Sequence, residues 1–411
     1  MDCSFNQSVA NYNISLCENS ENGTIDQDFI IPYNERPETY VVPVLFFLIF
    51  VIGVIGNGTL VIIFIKHEHM RNVPNTFIFS LAIADLLVIL TSVPFTSIIY
   101  TMEDWPWGEL ICKMSETAKD LSVAVSVFTL TALSADRFFA IVDPLKKFHT
   151  GGGTKTATKI TISIAVSIWA IAFLIAIPAA VGSHIKPIPD ENNTQFLICY
   201  PFPTHWMNYT YPQVMVLFKF FILYLIPLFV IAIFYLGMAI SLITSTHNMP
   251  GEIQGLKKQI KARKKVAVTV LIFVAVFAVC FAPLHIFMLF FYFYPDFQDW
   301  YNAFWHYLRI TGFCLNYINY CANPIALYFL SGAFRKYFDQ YLFCKKPRRL
   351  RQNTYPHQHT SISLFSVKRN QNDKQTSINC STHDTQETQE TTSALLGNNE
   401  VECSHSSKKI R

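Results

Sequence analysis

Charged side chains are scarce: Asp, Glu, Lys and Arg make up 15% of the 411 residues, where a soluble domain carries roughly a quarter. That deficit excludes an ordinary water-solvated surface and points to lipid as the solvent. Met1 to Tyr40 lack the apolar stretch of a cleaved signal peptide, so the first membrane helix is expected to start insertion itself. Catalytic signatures are missing as well. There is no Gly-x-Ser-x-Gly, no His-Glu-x-x-His and no phosphate-binding Gly-rich loop, so no enzyme is expected. The net charge of +4 implies no general affinity for nucleic acid.

What is abundant is apolar: 51% of residues are hydrophobic, and runs such as Val41 to Ile65 fill the ~20 residues that a helix needs to cross ~30 Å of hydrocarbon. The runs lack the two-residue alternation of barrel strands, which leaves helices as the structure that satisfies its own backbone in lipid. Seven spans are predicted: Val41–Ile65, Thr76–Tyr100, Leu110–Ile141, Ile160–Val181, Pro212–Ile243, Val266–Tyr294 and Trp300–Leu330. Two are interrupted. Lys113, Glu116, Lys119, Asp120, Asp136 and Arg137 leave only Leu121 to Ala135 clean in the third, and Arg309 breaks the seventh. The fold class is therefore an all-α membrane protein, a bundle of seven transmembrane helices over residues 40–330.

Basic residues in short loops stay on the cytoplasmic side. Lys66 and Arg71 follow the first span, Lys146 to Lys159 the third, Lys257 to Lys265 precede the sixth, and Arg335 to Arg351 follow the seventh. The alternate loops carry Glu103, Asp104, Asp190, Glu191, Asp296 and Asp299. A multi-pass plasma-membrane protein with its N-terminus outside is expected. The sequons at Asn6, Asn13, Asn22, Asn192 and Asn208 all fall on that outer side, which marks them as candidate glycosylation sites of the tail 1–39 and the fourth-to-fifth loop. Residues 331–344 read as a short amphipathic eighth helix on the membrane surface, with Cys344 a candidate palmitoylation site. Residues 345–411 read as a disordered cytoplasmic tail, rich in Ser, Thr, Asn and Gln.

Polar groups at membrane depth are costly and usually face a protein or water-filled interior. Asp85 lies mid-span, either as a neutralised carboxyl or as part of an internal cation or water site. Asp136-Arg137 sits beside the inner interface, where such a pair alone is commonly a solvated helix end. Pro227, Pro283 and Pro324 interrupt apolar runs, and each removes a helix hydrogen bond and introduces a kink. Lys257 to Lys265 read equally as lipid-facing charge and as a protein contact.

Gly56-Asn57, Leu81-Ala-Ile-Ala-Asp85, Asp136-Arg137, Trp169, Pro227 with Tyr235, Phe277-x-x-Cys280-Phe-Ala-Pro283 and Asn323-Pro-Ile-Ala-Leu-Tyr328 occur in that order. Together they resemble the rhodopsin-like G-protein-coupled receptors from about Tyr40 to Cys344. Ser126 to Arg137, the Asn323 to Tyr328 motif and Phe334-Arg-Lys336 resemble the bombesin-receptor group, and more closely the insect CCHamide neuropeptide receptors.

The resemblance implies a disulfide between Cys112 and Cys199, with Cys3 and Cys17 a further candidate pair. It implies no cofactor beyond an allosteric sodium ion on Asp85, Ser126, Asn319 and Asn323, a set of oxygen donors suited to a hard cation. It implies that Arg137, beside Asp136, swings toward Tyr235 and Tyr328 on activation, while the sixth helix moves at Pro283 and the seventh carries Pro324. Arg263 stands where the family often has an acidic partner for that arginine. Phe281 replaces the usual toggle tryptophan, which implies a purely steric switch.

Lys119 stands where amine receptors have aspartate, and Tyr317 where opsins have lysine, so both small-ligand classes are disfavoured. Lys119, Asp120, Lys219, Phe281, His285 and Arg309 map to the ligand cavity and imply a basic floor for a peptide. Glu116 and Lys119, three apart, are equally placed to neutralise each other. The implied partners are an extracellular peptide, a heterotrimeric G protein of the Gq class with calcium release, membrane lipid, and arrestin on a phosphorylated tail. A secondary transporter or channel is the alternative, although no internal repeat is present.

Overall fold

In the computed structural model the described residues are 36–102, 104–142, 154–189, 195–203, 210–247 and 254–343. Apolar composition makes them helical almost throughout. The helices are α1 (Glu38–Lys66), α2 (Val73–Thr91), α3 (Gly108–Val142) and α4 (Thr154–Gly182). Then come α5 in three parts (Thr210–Phe220, Phe221–Leu225 and Ile226–His247), α6 (Gln254–Phe293), α7 (Ala303–Leu330) and α8 (Gly332–Leu342). Between α4 and α5 lies an antiparallel hairpin, β1 (His184–Pro189) and β2 (Gln195–Tyr200), with His184 opposite Tyr200 and Ile185 opposite Cys199.

Six helices among the described residues are long and apolar enough to cross a membrane. Helix α7 is as long, at 28 residues, but carries His306, Arg309, Asn316, Asn319 and Asn323. Its start corrects the expected span: Phe297–Trp300 form a separate turn, and α7 begins after Asn302, whose Oδ1 accepts from the Phe304 amide at 3.0 Å. Such a cap satisfies a donor that the first turn cannot. The second span is also shorter than expected. Helix α2 stops at Thr91, and Val93–Thr96 restart with Pro94 in their first turn, because proline is tolerated there and not in a helix interior. The middle part of α5, Phe221–Leu225, is a π turn lying directly before Pro227, which the apolar pattern did not disclose.

Apolar contact alone does not drive helices together in lipid, since the tails are as apolar as leucine; close backbone approach and polar contacts do. Both are present. A Cβ on Gly56 would lie 2.7 Å from the Pro324 ring, so only glycine lets α1 seat against the α7 bend. Beside it, Asn57 Nδ2 donates to the Tyr320 carbonyl at 2.8 Å. Trp169 Nε1 donates to Ser80 Oγ at 2.9 Å, joining α4 to α2. Ser92 Oγ pairs with Ser115 Oγ at 2.7 Å and with Tyr317 OH at 3.1 Å, joining α2, α3 and α7 deep in the bundle. The chain packs around α3, which touches α2, α4, α5 and α6, while α7 closes the ring between α6 and α1.

The two ends of the bundle differ. At one end the hairpin is held by the Cys112–Cys199 disulfide, and the loop before α3 extends its edge: the Trp105 amide donates to the Leu197 carbonyl and the Leu197 amide to Asp104 Oδ1. At the other, α8 buries Phe334 and Phe338, four residues apart, and leaves Arg335 and Lys336 exposed. Its Tyr341 hydroxyl meets His67 Nε2 at 3.1 Å.

Candidate functional site: a charge cluster and the core beneath it

Below the hairpin, the hairpin-end halves of α3, α5, α6 and α7 carry the charges that broke the apolar pattern. Lys119 and Glu116 form an ion pair on one face of α3, so the neutralising arrangement is the one the fold adopts. Lys219 Nζ on α5 bonds Asp120 Oδ1 on α3 at 2.8 Å. Each lysine therefore has an acidic partner, and the floor is far less basic than a count of lysines implies. Asp120 Oδ2 is buried with no hydrogen-bond partner among the described residues. Arg309 is buried in α7 at the same end.

Over this floor lies an aromatic lid. Tyr200 and Phe202 pack edge to face at 5.7 Å, Phe202 meets Tyr292 of α6 at 6.0 Å, and Lys219 Nζ stands 5.8 Å from the Phe202 ring. On the hairpin, Lys186 Nζ lies 4.9 Å from the Tyr200 ring, and burial lowers the Lys186 pKa and raises that of Tyr200.

One turn deeper, His285 sits in an aromatic column. Its ring is 4.7 Å from Tyr224 and 5.7 Å from Phe220 on α5, and 6.5 Å from Phe281, which stacks on Phe277 at 4.5 Å. Phe281 is 3% exposed. Ring contacts thus run from Phe220 and Tyr224 of α5 through His285 to the Pro283 bend of α6.

In the centre, Asp85 is fully buried and Asn323 Nδ2 donates to its Oδ2 at 2.9 Å. The second oxygen, Oδ1, and Ser126 Oγ are both buried without a hydrogen-bond partner among the described residues, and Asn319 is buried on α7. Orphaned oxygens around a buried carboxyl fit a hard cation such as sodium.

Toward the α8 end, Arg137 pairs with the adjacent Asp136. Tyr235 OH donates to the Ala267 carbonyl at 2.8 Å and Tyr328 OH to Asp339 Oδ1 at 3.1 Å, so neither hydroxyl donates to the Arg137–Asp136 pair. Cys280, Cys314 and Cys321 are free thiols. Asn6, Asn13, Asn22, Asn192, Asn208, Cys3, Cys17, Cys344 and the tail serines and threonines lie outside the described residues, as does the Arg263 side chain. Sequence reasoning missed Ser92, Ser115, Gln213 and Tyr224. Single hydroxyls or amides in separate spans have no partner that spacing can reveal.

This architecture, seven membrane helices with a disulfide-tethered hairpin over a cluster of paired charges, defines a class. The model of the "7 transmembrane receptor (rhodopsin family)" matches residues 56–328, and the chain belongs to that family. The chain is 54% identical over 345 residues to the neuropeptide CCHamide-1 receptor of Drosophila melanogaster, spanning 82% of this chain and 68% of that one. It is 39% identical over 334 residues to the [Phe13]-bombesin receptor of Bombina orientalis, spanning 80% and 83%. Membership of a receptor family does not favour the transporter or channel alternative.

Proposed function

We propose that the chain is a neuropeptide receptor of the plasma membrane, with the hairpin end outside, that activates a heterotrimeric G protein of the Gq class and releases calcium. The observation that carries this reading is the 54% identity to the CCHamide-1 receptor over 345 residues, 82% of this chain. The paired charges at the hairpin end support it. A large ligand with several hydrogen-bonding groups matches a floor in which Lys119 and Lys219 are already paired and Asp120 Oδ2 still lacks a donor.

In the same reading, Lys119, Asp120, Lys219, Phe281, His285 and Arg309 contact the peptide. Release of Arg137 from Asp136 lets it meet Tyr235 and Tyr328 as α6 and α7 rearrange at Pro283 and Pro324. Sodium occupies the pocket of Asp85, Ser126, Asn319 and Asn323, and favours the resting arrangement. Asn6, Asn13, Asn22, Asn192 and Asn208 carry glycans, Cys344 a palmitoyl chain, and phosphorylated tail residues recruit arrestin.

A calcium assay in transfected cells against a panel of insect neuropeptides tests this reading. One peptide is expected to act saturably. Silence to every peptide, with robust surface expression, overturns it.

A further inference from the structure

Three side chains of α5 reach across to the backbone of α6. Gln213 Nε2 donates to the Tyr292 carbonyl at 2.8 Å, Tyr224 OH to the Ala278 carbonyl at 3.0 Å, and Tyr235 OH to the Ala267 carbonyl at 2.8 Å. The donors recur every eleven residues, at 213, 224 and 235. Eleven residues make about three helical turns, so the three lie on one stripe of α5. Ala278 and Ala267 are also eleven apart, which makes the lower two rungs an antiparallel register between the helices.

The middle rung lies beside the bend. Ala278 lies five residues before Pro283, where the missing proline N–H leaves the Val279 carbonyl without its helix donor and bends the helix. Tyr224 lies within the π turn Phe221–Leu225, which sets its hydroxyl against this stretch of α6. Every acceptor is a backbone carbonyl, so the ladder registers where α6 stands and not which side chains it carries. Movement of α6 away from α5 lengthens all three rungs, most of all the two on the inner side of the bend.

We propose that Tyr224 is a positioning residue for signal transmission. Its hydroxyl latches α6 to α5 at the Pro283 bend in the resting receptor, and its loss shifts the receptor toward the G-protein-activating arrangement without agonist. The inference rests on the family's coupling of α6 movement to G-protein activation and needs neither a particular peptide nor the Gq class.

The test is basal nucleotide exchange by full-length wild type and Tyr224→Phe in lipid nanodiscs, on purified heterotrimers of each Gα class, at matched amounts of folded receptor. Phenylalanine keeps the ring contacts with His285, Phe220 and Phe277 and removes only the hydroxyl. Basal exchange is expected to rise about two- to tenfold, the equilibrium weight of one hydrogen bond. Gln213→Leu, which removes the outer rung, is expected to raise it in the same direction and decides the matter if Tyr224→Phe does not fold.

A purely structural role would lower folded yield and leave exchange per receptor unchanged. That result, or a fall in exchange, overturns the latch. A peptide response in wild type with no basal rise in Tyr224→Phe defeats the latch alone. A basal rise with no response to any peptide supports the latch and defeats only the neuropeptide reading.

Discussion

Substituting Gly312→Ala places a methyl where α7 crosses the bend of α6. The added Cβ would lie 2.7 Å from the Leu284 amide nitrogen, 3.0 Å from Leu284 Cα and 3.1 Å from the Pro283 carbonyl carbon. All three are backbone atoms, so no side chain can rotate away. Ordinary contact begins at 3.4 Å, and the helices must part by about 0.7 Å (3.4 − 2.7) or bend. Overpacking of this kind costs about 1–3 kcal/mol. At roughly 2–4 °C per kcal/mol for a large domain, the unfolding midpoint in nanodiscs should fall by several degrees. Gly58→Ala is the control, because nothing lies within 4 Å of its added Cβ, and helix propensity favours alanine there. Equal midpoints for the two variants would refute the argument that glycine is required at the crossing.

Lys219→Met should lower stability by about 1–3 kcal/mol, because it leaves the largely buried Asp120 carboxylate unpaired, and Asp120→Asn in the same chain should recover most of that loss. A thermal-melt double-mutant cycle measures the coupling. Phe281→Trp should reduce surface expression, since the site is fully packed, yet keep the response per receptor if the switch is steric; complete loss of expression-corrected signalling contradicts this. His67 has its pKa lowered below the ordinary 6.5 by desolvation, then by His69 and Lys66. Its stabilising effect is therefore complete above about pH 6.5 and is lost as pH falls through the lowered value. Protection against hydrogen exchange in residues 67–70 and in α8, corrected for the intrinsic rate at each pH, should fall on acidification through that window, and His67→Gln should remove the dependence.

Much of the fold was legible because lipid makes hydropathy a nearly complete constraint: no backbone can cross unpaired, and every long apolar run became a helix. The errors sit where that constraint is silent. Helix α7 begins at Asn302 because a side-chain cap, not apolarity, sets its start. The π turn before Pro227 leaves hydropathy unchanged. Within the site, Glu116 and Lys119 were readable as a pair because three residues on a helix are neighbours. Asp120 and Lys219, 99 residues apart, become neighbours only when α3 packs on α5. Family likeness grouped Asp85 with Asn323, and Asn323 Nδ2 donates to Asp85 Oδ2 at 2.9 Å. Nothing in the sequence singles out carbonyl acceptors, so the Tyr224 and Gln213 contacts were invisible in principle.

The most direct measurement is guanine-nucleotide exchange on purified heterotrimers by the full chain in nanodiscs, with and without each peptide of an insect neuropeptide panel. Saturable acceleration by one peptide, lost when the Cys112–Cys199 bond is removed, is the predicted result. Folded protein that accelerates exchange with no peptide and instead carries an ion or solute across the bilayer would contradict the account.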